Sequence, residues 1–282
     1  FCIGDAQAGD LVMVNVTGTI SLQSPILIDK ELIIQGPMPT HLKIDGTLSS
    51  GGLFIHDAVT TTFSYIDGFE FSNCPSGSAV LNQNGFLYVG RSVFSGNANL
   101  KGGAIRNFDE TEINGCSFLF NTADFGGAIY TEGDATIVNN TFSQNGSGVD
   151  GGAICVQSGI SDIKHNTFLN NNCNGDGGAV HNEAGWATYT GNLFYQNGPS
   201  ATSTDPSIST GFAFNFTGGG NLLDSDASTV TSVITPTTGD TMELGLNPLL
   251  STMITDGYGL KYFPISNPSS PAIDRNNAAS SE

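Results

Sequence analysis

Apolar residues in this chain come in short bursts of alternating character, broken by Gly, Asn and Asp. Ala128-Ile129-Tyr130, Thr136-Ile137-Val138 and Thr141-Phe142-Ser143 are three of them. Period-2 bursts rich in Ile, Val, Thr and Phe predict strands of three to five residues, since successive strand side chains point to opposite faces. No stretch keeps a 3.6-residue period over ten residues, so helices are not expected.

The bursts recur as a unit. Phe71, Phe94, Phe118, Phe142, Phe168 and Phe194 follow one another at intervals of 23, 24, 24, 26 and 26 residues. Five residues before each stands Ile66, Val89, Ile113, Ile137, Ile163 or Tyr189, and three after stands Cys74, then Asn97, Asn121, Asn145, Asn171 and Asn197. A glycine word, GGA followed by Ile or Val, starts at Gly102, Gly126, Gly151 and Gly177, with a weaker form at Gly77. One copy has too few apolar residues to bury a core alone, so the copies must stack.

Three bursts per copy give three strands and three turns. Stacking sets each strand beside its counterpart in the next copy. The fold class is therefore all-β: a parallel β-helix with three short strands per coil and about 24–26 residues per coil. Ile105, Ile129, Ile154 and Val180, the Ile113 series and the Phe series are expected to point inward. Ala79, Ala104, Ala128, Ala153 and Ala179 are expected outward, beside an outward row of Leu81, Arg106, Tyr130, Cys155 and His181. The Asn after each Phe reads as a turn residue with a left-handed backbone, its amides bonded from coil to coil.

Three regions are expected: residues 1–50 as an N-terminal cap and first coils, 51–198 as regular coils, and 199–282 as irregular final coils and a C-terminal cap. LNPLL (246–250) and the Pro-rich FPISNPSSPAID (263–274) are expected to lie across the C-terminal end. The chain opens at Phe1 with no basic, apolar leader, which reads as a processed, exported product.

Charge narrows the partners. Eight Lys plus Arg against 26 Asp plus Glu leave a net charge of −18. Such a surface repels nucleic acid and anionic membranes and attracts cations or basic partners. No apolar run is long enough for a membrane-spanning helix. The five cysteines, Cys2, Cys74, Cys116, Cys155 and Cys173, show no paired metal-site spacing. Their odd number leaves at least one thiol unpaired within the chain, and Cys116 reads as a small core residue.

The alternation of GGA[IV] with FxxN resembles the repeat of chlamydial polymorphic outer-membrane proteins and of bacterial surface β-helix proteins. The opening AGDLVMVNVTGTISLQSPILIDKELIIQGP resembles a CSLREA-type extracellular repeat domain, without its Leu-Arg-Glu-Ala stretch. The resemblance implies a right-handed, pectin-lyase-like parallel β-helix, secreted or displayed on a bacterial-type cell surface and often adhesin-like.

Two constellations are candidates for chemistry. Asp124, Asp150 and Asp176 stand one or two residues before a Gly pair in successive coils. Stacked carboxylates either hold a cation, here Ca2+, or splay into water. No other cofactor is expected. The second is the outward row, with Arg106, Tyr130 and His181, and with Trp186 beside Glu183 and His181 to stack on a sugar. A glycan or surface protein is the expected partner of this strip. The leading expectation is thus an adhesin-like or structural scaffold. A polysaccharide lyase or hydrolase would need convergent outward Asp, Arg or Lys, yet Arg106 and Lys164 fall on different strands. A self-assembling filament or surface-layer subunit, associating end to end, would need an uncapped end.

Overall fold

The computed structural model describes residues 3–58, 63–199, 208–210, 221–223, 250–257 and 259–264, and every structural statement concerns these residues. The chain winds as a parallel β-solenoid, visiting three sheets in turn. Sheet I has eight strands, from Asp10–Met13 to Trp186–Thr190. Sheet II has nine, from Gly18–Ser21 to Leu222–Leu223. Sheet III has eight, from Ile26–Ile28 to Ile208–Thr210. Every pairing in these sheets is parallel, as stacked repeats of near-equal length require; the Phe118 strand, for example, lies in register with those of Phe94 and Phe142.

The interior is built of ladders. Phe94, Phe118, Phe142, Phe168 and Phe194 stack with ring centroids 4.6–5.0 Å apart and planes within 6° of parallel, close to the strand spacing. Ile113, Ile137 and Ile163 form the matching ladder of sheet I, and Ile105, Ile129 and Ile154 that of sheet III. All of these side chains are fully buried. Each inner Phe contributes roughly 1.5–3 kcal/mol of transfer free energy.

Polar ladders line the corners. Asn97, Asn121, Asn145, Asn171 and Asn197 are buried, and each of the first four donates from its side-chain amide to the carbonyl oxygen of the next. The left-handed backbone falls one residue earlier, at Phe120, Gln144, Asn170 and Gln196, with φ between 52° and 57°. This corrects the turn assignment: the Asn itself is spent on the ladder. A second ladder, Asn140, Asn166, Asn192 and Asn221, closes the corner between sheets I and II.

One further expectation changes. Ala104 and Ile105 both donate their backbone N–H to the carbonyl of Ala128, and Ala128 and Ile129 do the same to Ala153. This local bulge interrupts the alternation. The Ala series therefore packs into the apolar core with the Ile series rather than facing out.

Of the two segments expected across the C-terminal end, only Leu250, Phe263 and Pro264 are among the described residues. The Lys261 backbone bonds the hydroxyl of Ser117, midway along sheet II, and Gly259 sits against Thr40. Residues 246–249 and 265–274 lie outside the described residues.

A fourth short sheet separates sheets II and III in the later coils: Thr122–Phe125, Gly146–Asp150, Asn172–Cys173 and Gly198–Pro199. The register shifts between Ala123 and Phe125, where the coil that follows carries an extra residue.

Candidate functional site

The outward row of sheet III is where the sequence places its candidates, and Arg106, Tyr130, Cys155 and His181 do stand in register there. The row is not an open strip, however. Tyr130 is fully buried, Cys155 1% exposed and His181 3% exposed. The cause is local. In each coil the first Gly of the glycine word adopts a positive φ, between 61° and 71°, and packs on the strand that follows. The residue before it is thereby folded over the outward face.

In the earlier coils the covering residue is Lys101. Its amine donates to the Tyr130 hydroxyl at 2.8 Å and lies 3.5 Å from Glu132, and the Tyr130 hydroxyl donates to Gln157 at 3.1 Å. Arg106 lies over the Phe108 ring, 4.3 Å from its centroid, and 3.7 Å from the same Glu132. Desolvation and the neighbouring Glu132 push the Tyr130 hydroxyl well above the usual tyrosine range. Arg106 and Lys164 lie on sheets III and I, as expected.

In the later coils the covering residues are Asp150 and Asp176. Asp150 Oδ1 accepts the backbone N–H of Asp176 at 2.8 Å. A ligand atom from each, together with a ring nitrogen of His181, lies within 4.8 Å of the others. His181 Nε2 is 2.9 Å from Glu183 Oε2. Cys155, the neighbour of His181 in register, has its thiol pushed up to about 12 by burial, with the Asp150 and Glu183 carboxylates adding to it. Asp124 is not part of this group. The bulge in the fourth sheet puts Phe125, not Asp124, in register with Asp150, and leaves Asp124 exposed beside Gly148. The expected edge of three aspartates is therefore two aspartates and a histidine.

Trp186 is also relocated. It opens a strand of sheet I, in register with Ile160, and both are exposed, at 54% and 60%. His181 and Glu183 belong to sheet III and the turn after it, so the three do not form one sugar-stacking patch.

Sheet I carries an arrangement not anticipated from the sequence. On its outer face Phe63 lies beside Phe86 and Tyr65 beside Tyr88, with centroids 5.3 and 5.4 Å apart. Ile33 extends the tyrosine row toward the first coil. Phe63 is 54% exposed, Ile33 39% and Tyr65 37%. Alongside runs a shallow groove lined by Ile33, Gln35, Tyr65, Asp67, Tyr88 and Arg91. Arg91 makes a bidentate ion pair with Asp67. Gly90 leaves room for the Tyr88 ring to lie across the strand, where a side chain would clash with it. The signal was present: these aromatics stand eight and six residues before Phe71 and Phe94.

The solenoid and its repeating corners define a β-helix repeat protein. A family model described as the Chlamydia polymorphic membrane protein (Chlamydia_PMP) repeat matches residues 141–157. That stretch holds Phe142, the ladder residue Asn145, the glycine word at Gly151 and the Ile154 strand, which is one corner and two walls of a coil. No curated protein and no solved structure matches the chain. The chain is thus similar to surface β-helix repeats, and no helix among the described residues is long and apolar enough to cross a membrane.

Proposed function

We propose that the protein is a surface-displayed, adhesin-like β-helix that binds a neutral glycan along the aromatic strip of sheet I. The observation that supports this is the outer ladder in which exposed Phe63 and Tyr65 lie beside half-buried Phe86 and Tyr88, bordered by Gln35 and the Asp67–Arg91 pair. Aromatic faces pack against the C–H faces of sugar rings, while amide, carboxylate and guanidinium groups bond hydroxyls, the composition of a binding site with a few fixed polar groups. A strip spaced by the coil repeat suits an extended chain rather than a compact ligand. The net charge of −18 disfavours acidic polysaccharides. The similarity to the polymorphic membrane protein repeat supports display at a surface.

The test is an array of neutral and acidic glycans probed with the intact chain and with the Tyr65→Ala/Tyr88→Ala double variant. Neutral glycans retained by the wild type and weakened at least tenfold in the variant are expected. Binding that is unchanged in the variant, or confined to polypeptide ligands, would overturn the reading.

A further inference from the structure

Asp150, Asp176 and His181 come from two successive coils, and the solenoid, not the local sequence, brings them together. The geometry points to a divalent-cation site in which Asp150, Asp176 and His181 are the protein ligands and Glu183 holds the histidine, selective for a Zn2+-like ion over Ca2+.

Two independent observations carry it. The first is the cluster itself, with one ligand atom from each residue within 4.8 Å of the other two. The second is His181. Its ring is almost wholly buried, with a side chain only 4% exposed, yet Nδ1 has no hydrogen-bond partner. A buried polar atom left unbonded is costly, and native structures rarely tolerate one without an ion, a water or a functional reason. Nε2 is engaged by Glu183 at 2.9 Å. A histidine anchored by a carboxylate through one nitrogen and presenting the other is the arrangement that orients imidazole ligands on metals.

The glycines make the approach possible. A side chain at Gly177 would strike the backbone of Val180 and His181, so only glycine lets Asp176 fold over the histidine. A side chain at Gly175 would occupy the place of the Asp150 carboxylate. Asp150 is further positioned by the bond it accepts from the Asp176 amide.

The donor set selects the ion. Ca2+ and Mg2+ prefer shells made of oxygen, whereas imidazole nitrogen with carboxylates suits Zn2+ and related transition metals. Metal bonds of about 2.0–2.2 Å space tetrahedral ligands about 3.3–3.6 Å apart. Of the three ligands Asp176 is the exposed one, so its side chain has room to adjust toward an ion. Three protein ligands leave a coordination position for water or for a group from a partner. The site lies where the fourth sheet meets sheet III and is independent of the aromatic strip on sheet I.

The test is calorimetric titration of the metal-stripped intact chain with Zn2+ and, separately, with Ca2+, together with thermal unfolding. One Zn2+ per chain is expected, with a raised melting temperature and no comparable response to Ca2+. Asp176→Asn, at an exposed position that leaves the fold intact, and His181→Ala should each weaken Zn2+ at least tenfold, while Asp124→Asn should leave it unchanged. Absence of Zn2+ binding, a Ca2+ response equal to that of Zn2+, or Zn2+ binding undiminished in Asp176→Asn would overturn the proposal.

Discussion

Asn145 accepts two hydrogen bonds from Asn121 on one oxygen: the backbone N–H and the side-chain Nδ2 of Asn121 each lie 3.0 Å from Asn145 Oδ1. The Nδ2 of Asn121 also donates to the Phe94 carbonyl at 3.0 Å, so a single amide ties three coils together. Repetition of this pattern turns a column of buried amides, costly if unbonded, into a continuous bonded rail.

Breaking the rail at its middle is therefore expensive. Asn121→Ala strips the N–H and Nδ2 of Asn97 of the oxygen they share and removes the bonds Asn121 donates from its own side chain. Each buried group left unbonded costs about 1–3 kcal/mol. A loss of at least about 3 kcal/mol is expected in chemical denaturation, against a negligible change for Asn84→Ala at an exposed site.

The phenylalanine stack tests packing rather than bonding. Phe142 lies 4.7 Å from Phe118 and 4.8 Å from Phe168, centroid to centroid. Phe142→Ala should destabilise by about 3–5 kcal/mol, the range of buried Phe truncations, and Phe142→Leu by distinctly less, since much of the volume is retained. Equal losses in urea unfolding would show that stacking, not volume, is what the position contributes.

Backbone strain offers a gain. Gln144 is exposed at φ 57°, where the equivalent coil position is held by Gly96 at φ 65°. A left-handed residue with a Cβ is disfavoured by roughly 1 kcal/mol, part of which glycine gives back through its greater freedom in the unfolded chain. Gln144→Gly should raise the melting temperature slightly; a lowered value would mean that the Gln side chain contributes contacts worth more than the strain.

Acid sensitivity should come from His56. It is fully buried, with Nδ1 2.7 Å from Asn82 Oδ1. Desolvation by burial lowers its pKa, although the Asn82 bond and the carboxylates of Asp57 and Asp109 act the other way. The unfolded chain, whose histidine titrates near about 6.5, then binds more protons than the folded chain. Stability is full above that pH and falls as pH drops below it, by at most about 1.4 kcal/mol per unit for one group. His56→Asn, which extends the buried column of Asn82 and Asn107 by one amide, should flatten melting temperature between pH 7 and 5. Asp45 does not contribute in this window: although burial opposes ionisation, bonds from Thr47 and Asn73 hold its carboxyl at about 2.

Much of this protein was legible from spacing alone. The intervals between Phe94, Phe118, Phe142 and Phe168 dictate coil length, and alternation about Ile113 and Ile137 dictates which side chains face in, because a stacked repeat has one registry that buries every apolar position at once. The outward chemistry was not legible in the same way. Whether Tyr130 and His181 meet solvent depends on a positive-φ glycine folding Lys101 or Asp176 over them, and alternation carries no information about what covers a face. The Asp150–Asp176–His181 group likewise depends on a bulge that removes Asp124 from register, and the aromatic strip on two coils stacking Tyr65 under Tyr88. Local periodicity determines the walls of a solenoid; the corners, where the chain leaves the period, decide which of its outward residues are brought together.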